Sequence, residues 1–298
     1  ASDVYKRQVL DFPTAWAQNA DEYLSKGLAL RDDVKHSELV SVGFGPHAPY
    51  TVSTDNLSKV ATFAAELDMA VTIHLHETRG EVLLAVEQHG ERPLDTLNRL
   101  GLIGPRTLCV HMTDLGEQDM AVLAETGAHV IHCPQSNMKL ASGGCPVQDL
   151  ISRGINVALG TDGAASNNDL NMFGEMQSAA LLAKLLSGDA TALPASQALA
   201  MATINGARAL GLEERIGSLE VGKQADLIAV DLGGPETQPL YNPISQLVYA
   251  CNGSQVSHCW IAGQPVMEAR ELTRIDLSSL GARARSWQQK IHDSRPGK

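Results

Sequence analysis

The sequence predicts an α/β fold built around a parallel sheet, with a small β-rich portion towards its C-terminal end. Short β-type segments alternate with longer helical patterns, and the connections between them are short. This order is typical of parallel strands joined by crossover helices. With 298 residues, 44% of them hydrophobic, the chain is long enough for one large core or two smaller ones.

Six segments in the first part of the chain have strand character, because they are short, apolar and bounded by Gly, Pro or polar residues. The predicted strands are residues 8–12, 39–46, 69–77, 107–112, 128–134 and 155–162. Helical patterns separate and follow them, at residues 56–67, 80–90, 117–127, 145–154, 170–186 and 196–211.

The pattern changes beyond residue 211. Residues 217–232 and 256–273 contain β-type segments with Gly turns, which predict a small β layer. Within it, GSLEVGKQADL at 217–227 is typical of a β hairpin with a solvated Lys223. Residues 274–294 predict an exposed helix.

Charge and composition narrow the class of partner. The net charge is −11, from 23 basic and 34 acidic residues, which argues against nucleic acid or an anionic membrane. Aromatic residues make up 4% of the chain, too few for a single-strand stacking surface. The five cysteines form no CxxC pair, which is typical of a reduced, cytoplasmic protein. A small-molecule partner is therefore expected.

Four of the predicted strands end in a His or acidic residue. If the strands are parallel, their carboxyl ends share one edge of the sheet, and these residues meet there. On the strand at 69–77, alternation predicts that Thr72, His74 and His76 face the interior. Each polar residue alone is more typical of a hydrogen-bonded core group or a helix cap. The coincidence on several strands predicts a metal or acid–base site. The edge residues are His47, His74 with Glu77, His111 and Asp162, while His129 and His132 lie on a fifth strand.

His and carboxylate ligands together suit Zn²⁺ or a similar borderline metal. A catalytic zinc leaves one position open for a water molecule and lowers the pKa of that water, so that a nearby acid can move the proton. Glu77 follows His74 by three residues and is placed for that role. The small residues after Asp162, GAASNN, leave space for a ligand.

These motifs together resemble those of the amidohydrolase superfamily. The narrower resemblance is to its 5′-methylthioadenosine/S-adenosylhomocysteine deaminases, close to the chlorohydrolase and guanine deaminase branch, and it runs from residue 9 to near the C-terminus. The segments that carry it are HLHET at 74–78, VHMT at 110–113, HCPQSNMKLASGGCPV at 132–147, GTDGAASNNDL at 160–170, GSLEVGKQADL at 217–227 and GPHAPYTVS at 45–53.

The resemblance implies hydrolytic deamination, in which a zinc-activated water attacks C6 of an adenosine derivative, releasing ammonia and an inosine-type product. It also implies one Zn²⁺ per subunit, with Fe²⁺ or Mn²⁺ left open. The implied roles are zinc ligation by His74 and Asp162, proton transfer by Asp162 and Glu77, stabilisation of the reacting centre by His111, and nucleoside contacts by His47 and Ser166 as well as by Glu77 and Asp162.

Members of this family carry an HxH motif on their first barrel strand, which supplies two further zinc ligands, and this sequence has no such strand. The fold implied is an incomplete TIM (β/α)₈ barrel of metal-dependent hydrolase type. We expect the barrel at 1–210 without its first strands, a β-sandwich portion at 211–275 and a C-terminal helix at 276–298. We therefore interpret the chain as an N-terminally truncated deaminase that binds zinc poorly and is nearly inactive alone.

Three other interpretations stay open at this point. The first is another amidohydrolase, such as a guanine, cytosine or triazine deaminase or a chlorohydrolase. The second is an inactive fragment or a non-catalytic amidohydrolase-like module, and the third is a metal-free α/β binding protein. The expected partner is a small nucleoside, with no nucleic acid and no membrane. The sequence leaves open a homo-oligomer and the choice among methylthioadenosine, adenosylhomocysteine and adenosine.

Overall fold

A computed structural model describes residues 3–294 and, within them, the side chains of residues 8–294. Its main feature is a six-stranded sheet in which every neighbouring pair is parallel and the strands follow one another in chain order. The strands are β1 (Asp3–Val9), β2 (Val40–Pro46), β3 (Val71–Leu75), β4 (Thr107–His111), β5 (His129–His132) and β6 (Val157–Leu159).

Helices connect these strands, and the third helix shows typical capping residues at both of its ends. The Thr78 side chain accepts a hydrogen bond from the backbone of Glu81 at the start of the third helix, and Gly90 ends that helix in a left-handed conformation. The helices are α1 (Ala20–Val34), α2 (Thr54–Leu67), α3 (Arg79–His89), α4 (Pro93–Arg99), α5 (Glu117–Thr126), α6 (Pro134–Lys139), α7 (Val147–Ser152), α8 (Ala164–Asn167), α9 (Met172–Ser187), α10 (Ala195–Met201) and α11 (Ile204–Ala209).

Parallel strands in chain order, each followed by helix, form part of a (β/α)₈ barrel. Strand β6 is buried along its whole length, as expected for a strand covered on both faces. The register sets the strand ends level with one another: Leu75 lies opposite His111, and His132 lies opposite Leu159.

A second sheet with four antiparallel strands forms the small β portion. Its strands are β7 (Leu227–Val230), β8 (Val256–Ile261), β9 (Gln264–Glu268) and β10 (Glu271–Leu272). Helix α12 (Pro243–Tyr249) lies between β7 and β8, and two short 3₁₀ helices cover Pro235–Thr237 and Gly253–Gln255. Helix α13 (Leu277–Ser294) contains no buried residue, as the sequence predicts.

Two predicted elements differ from the structure. The predicted strand at 8–12 was misplaced, because β1 runs from Asp3 to Val9 and pairs along its length with β2. The central residues of β1 are polar, so its sequence lacks the apolar pattern typical of a strand. Backbone pairing with β2 forms the strand nonetheless. The hairpin expected at 217–227 is absent from the described chain, where turns precede β7. None of the described helices has the length and hydropathy needed to cross a membrane.

Candidate metal and acid–base site

The candidate site lies where the strands of the parallel sheet end, and the backbone there adopts unusual conformations. His76, His111 and Asp162 all have a positive φ, at 49°, 80° and 59° respectively. Such conformations are uncommon outside glycine and cost roughly 1–3 kcal/mol each, so the surrounding structure must hold them. Residues of this kind concentrate at functional sites, which directs attention to this edge of the sheet.

Three side chains converge at this edge. His74 is the second-to-last residue of β3, His111 ends β4 and Asp162 follows β6, and each offers one ligand atom within 4.8 Å of the others. The Nε2 atom of His74 lies 3.6 Å from Oδ1 of Asp162, and the rings of His74 and His111 are 5.2 Å apart between centroids. The three residues are distant in sequence, and the parallel alignment of their strands brings them together.

Hydrogen bonds fix the orientation of both imidazole rings. Nδ1 of His74 lies 3.1 Å from the carbonyl oxygen of His47, and Nδ1 of His111 lies 2.8 Å from Oδ1 of Asn137. Since both partners are acceptors, each Nδ1 carries the proton and donates it. The Nε2 atoms therefore face the centre of the site, which is the ring orientation that metal ligation needs.

The Asp162 carboxylate has two different surroundings. Its Oδ2 atom accepts hydrogen bonds from the hydroxyls of Ser136 at 2.8 Å and Ser166 at 2.6 Å. Its Oδ1 atom faces His74. The contact with His74, followed by those with Ser166 and Ser136, holds the pKa of Asp162 well below its usual range, against the opposing effect of partial burial. Asp162 is therefore ionised at physiological pH.

Glu77 stands between the three converging residues and an open cleft. Its Oε2 lies 3.8 Å from Nε2 of His111, and its Oε1 accepts a hydrogen bond from Ser142 at 3.2 Å. The hydroxyl of Thr113 donates to the backbone carbonyl of Glu77 at 2.7 Å, which fixes the main chain there. The cleft has a volume of about 1140 Å³, and Glu77 and Tyr50 line it.

The remaining predicted residues lie close to this centre in different ways. The His47 ring is 5.8 Å from that of His74, and its Nδ1 lies 2.9 Å from the hydroxyl of Thr51. Ser166 lies in α8, half-buried, and its hydroxyl is directed at Asp162. The structure thus brings His47, His74, Glu77, His111, Asp162 and Ser166 into one region.

His76 does not face the interior of the barrel, contrary to the prediction from strand alternation. The ordinary strand ends at Leu75, and the positive φ of His76 turns its side chain into the protein, where it is fully buried. Its Nε2 accepts a hydrogen bond from the backbone N–H of Leu94 at 3.2 Å, and its Nδ1 donates to the carbonyl of Asp114 at 2.9 Å. Both ring nitrogens are thus engaged, so His76 is a structural residue.

The two histidines of β5 are also outside the converging group. His129, at the start of the strand, contacts the carbonyl of Pro105 at 3.1 Å. His132, at its end, is almost fully buried, and burial followed by the proximity of His111 lowers its pKa to about 3. His132 is therefore neutral in the folded protein.

The donor set fits a divalent metal ion. Nε2 of His111 is buried and has no hydrogen-bond partner among the described residues, which is costly unless another group satisfies it. Two imidazole nitrogens and one ionised carboxylate oxygen are ligands that zinc and related metals accept. Burial, as the main cause, lowers the pKa of His111 and keeps the ring neutral, so it can ligate or accept a hydrogen bond.

The family model described as the amidohydrolase family matches residues 5–266. The chain belongs to the amidohydrolase family. This confirms the resemblance seen in the motifs, and it agrees with a partial barrel followed by a small β portion.

Amidohydrolases of known sequence include relatives with high identity to this chain. A protein of Teredinibacter turnerae named 5-methylthioadenosine/S-adenosylhomocysteine deaminase is 54% identical over 283 residues, or 95% of this chain. A protein of the same name from Saccharophagus degradans is 48% identical over 96% of the chain. The chain spans 64% of the length of each of these two curated relatives.

Two solved structures are also similar to this chain. An adenosine deaminase from Xanthomonas campestris with bound zinc is 51% identical, with a TM-score of 0.95 over 97% of this chain and 66% of that one. The atrazine chlorohydrolase of Arthrobacter aurescens, with zinc, has a TM-score of 0.89 at 23% identity, over 95% of this chain and 65% of that one. The second likeness concerns the fold alone.

A glycine beside the site provides a first test. Gly143 has a φ of 142°, and a Cβ atom added there would lie 2.8 Å from Oγ1 of Thr113, the residue that holds the Glu77 backbone. We expect Gly143→Ala to lower the free energy of unfolding by about 1–3 kcal/mol, measured by urea denaturation, because both conformation and contact are unfavourable. Gly104→Ala is the control, since no atom lies within 4 Å of its added Cβ. Equal effects of the two changes would contradict the assigned contact.

The low pKa of His132 predicts a pH dependence of stability. Between pH 6.5 and about 3 the unfolded chain binds a proton at this residue and the folded chain does not, so stability falls as the pH falls. In chelator-treated protein, His132→Gln should reduce the slope of unfolding free energy against pH by up to about 1.4 kcal/mol per pH unit between pH 6 and 4. His292→Gln on exposed α13 should leave the slope unchanged. An unchanged slope in His132→Gln would mean that His132 titrates normally in the folded protein.

Proposed function

We propose that this chain carries the chemical machinery of a zinc-dependent hydrolytic deaminase acting on adenosine derivatives. The substrate class is 5′-methylthioadenosine, S-adenosylhomocysteine or adenosine, and the products are the inosine analogue and ammonia. The observation that supports this most directly is the convergence of His74, His111 and Asp162 beside Glu77, at the strand ends of an amidohydrolase barrel. The names of the high-identity relatives support the choice of substrate.

In this proposal His74 and Asp162 are zinc ligands, and the His111 Nε2 atom lies within reach of the same point. The metal would supply positive charge that lowers the pKa of a water molecule towards neutrality. Among the side chains of residues 8–294, these three residues form the group that could hold a metal ion, while the family resemblance implies two further His ligands. We therefore expect weak zinc binding and low turnover from the 298-residue chain by itself.

The proton transfers fall to the two carboxylates. The Oδ2 atom of Asp162 is occupied by two hydroxyl donors, so Oδ1 is the atom available to accept a proton from the attacking water. Glu77 then carries a proton to the purine ring nitrogen and on to the departing amine, since an aromatic amine is a poor leaving group until it is protonated. His111, neutral and fixed by Asn137, has a free acceptor at Nε2, with which it holds the O–H of the attacking water and of the tetrahedral centre that forms from it.

The cleft next to Glu77 is the proposed nucleoside site. Its volume of about 1140 Å³ exceeds what a nucleoside with a 5′ substituent needs. Glu77 is its link to the metal-binding group, so a purine in the cleft would meet Glu77 at its reactive edge. We assign His47 and Ser166, which adjoin His74 and Asp162 respectively, to contacts with the substrate.

Zinc binding tests the proposed ligands. His74→Ala should weaken the affinity of the chain for zinc by more than about tenfold, because loss of even an outer partner of a metal site typically costs that much. Affinity is measured by competition with a chromogenic chelator. His129→Ala is the matched control, because it removes a strand His from the opposite end of the barrel. Equal affinities for the wild type and His74→Ala would exclude His74 as a ligand.

Substrate class is tested by calorimetric binding to the zinc-loaded chain, with ammonia release followed in parallel. Methylthioadenosine should bind at least about tenfold more tightly than guanine or a chlorotriazine, because the cleft accommodates the ribose and its substituent. Glu77→Gln should abolish any ammonia release while zinc stays bound. Tighter binding of guanine or the triazine would favour another amidohydrolase activity. Zinc binding without affinity for any of these compounds would favour a non-catalytic module.

A further inference from the structure

We propose that Glu175 is a positioning residue, which holds in place the two serine hydroxyls that orient Asp162. Glu175 lies in the first turn of α9, thirteen residues beyond Asp162, and its side chain is fully buried. The expected effect of Glu175 on metal binding rests on the proposed function, whereas its role in holding the two serines does not.

The Glu175 carboxylate binds groups from two separate segments. Its Oε2 atom accepts a hydrogen bond from the backbone N–H of Gln135 at 3.2 Å. Its Oε1 atom accepts one from the side-chain amide of Asn167 at 2.5 Å. Gln135 belongs to α6 and Asn167 to α8, so one carboxylate joins two short helices that follow different strands.

Each of these two residues is adjacent in sequence to a serine that binds Asp162. Ser136 follows Gln135, and Ser166 precedes Asn167. These are the two serines whose hydroxyls donate to Oδ2 of Asp162, at 2.8 and 2.6 Å. Glu175 is thus one residue away from each donor without touching Asp162 through a hydrogen bond of its own. Fixing both segments leaves Oδ1 of Asp162 directed at His74.

The amide groups bound to Glu175 have little freedom to turn elsewhere. Oδ1 of Asn167 accepts a hydrogen bond from the backbone N–H of Leu170 at 2.9 Å, which fixes the orientation of its amide. The side-chain amide of Gln135 donates to the hydroxyl of Ser178 at 3.2 Å. Gln135 is therefore tied to α9 by two hydrogen bonds and Asn167 by one, and Glu175 is the acceptor in two of these three.

Burial of a carboxylate among neutral partners, as at Glu175, costs free energy. Burial, as the main cause, raises the pKa of Glu175 to about 7, and its bonds to Gln135 and Asn167 only partly oppose this. A carboxylate in such surroundings lowers the stability of the fold. It also accepts stronger hydrogen bonds than a neutral group does. Perturbed groups of this kind concentrate at functional sites, which agrees with a positioning role.

The test compares Glu175→Met, which keeps the volume and removes both acceptors, with Glu175→Gln, which keeps one acceptor. Hydrogen–deuterium exchange is measured on chelator-treated protein. We expect Glu175→Met to speed the exchange of the Gln135 amide and of the segments 134–139 and 164–168 by at least about tenfold, and Glu175→Gln to lie between it and the wild type. Glu213→Gln is the control, because Glu213 is a partly buried carboxylate that lies near His129 at the other end of the barrel.

Zinc affinity is then measured on the same proteins at equal folded fraction. Glu175→Met should weaken affinity by about 10–100-fold, the range typical of outer partners of a metal site. In a Ser136→Ala/Ser166→Ala background the same change should have little further effect, because the groups through which Glu175 acts are gone. A residue that served stability alone would have equal effects in both backgrounds.

The outcomes separate this inference from the proposed function. Faster exchange in both segments, with an affinity loss that disappears in the serine double variant, supports the positioning role. Unchanged exchange or unchanged zinc affinity in Glu175→Met, or an equal affinity loss in both backgrounds, overturns it. If the wild-type chain binds no zinc at all, the proposed function fails, and the exchange measurement alone decides whether Glu175 holds the two segments.

Discussion

The parallel alignment of neighbouring strands is the constraint on which the site depends. Because β3, β4, β5 and β6 run in the same direction, their carboxyl ends share one edge, and residues from 74 to 162 meet there. Reversing any one strand would carry its terminal side chain to the opposite edge of the sheet. The helices between the strands bury the sheet and so supply the stability that holds the strand ends level.

That stability offsets the cost of the site itself. Left-handed backbone at His76, His111 and Asp162 is unfavourable, as is a buried imidazole nitrogen without a partner. These costs lie next to some of the most fully buried side chains of the protein, including Leu75 and Met112. The arrangement is typical of a binding centre that is organised before its ligand arrives, so that little reorganisation is needed when the ligand binds.

The sequence indicates much of this site because strand alternation and strand ends are local properties. His74, Glu77, His111 and Asp162 stand at the ends of apolar segments, where the pattern changes from strand to loop. The prediction for His76 was wrong, because alternation holds only while the backbone stays extended. A positive φ at His76 turns its side chain away from the direction that alternation predicts. Glu175 gives no local signal, since a Glu in the first turn of a helix ordinarily faces solvent or the helix dipole. Only tertiary packing reveals that it is buried.

The position of Glu77 has a consequence for the exchange of protons with bulk water. One oxygen of its carboxylate faces the buried ring of His111, and the residue also lines the open cleft. About a fifth of the side chain is exposed, whereas His111 is almost wholly buried. In the proposed reaction, a proton that Glu77 accepts on the side of His111 is delivered to the ligand in the cleft by rotation within the same carboxyl group. One side chain at the wall of the cleft thus joins the buried part of the proposed reaction to the part that solvent reaches.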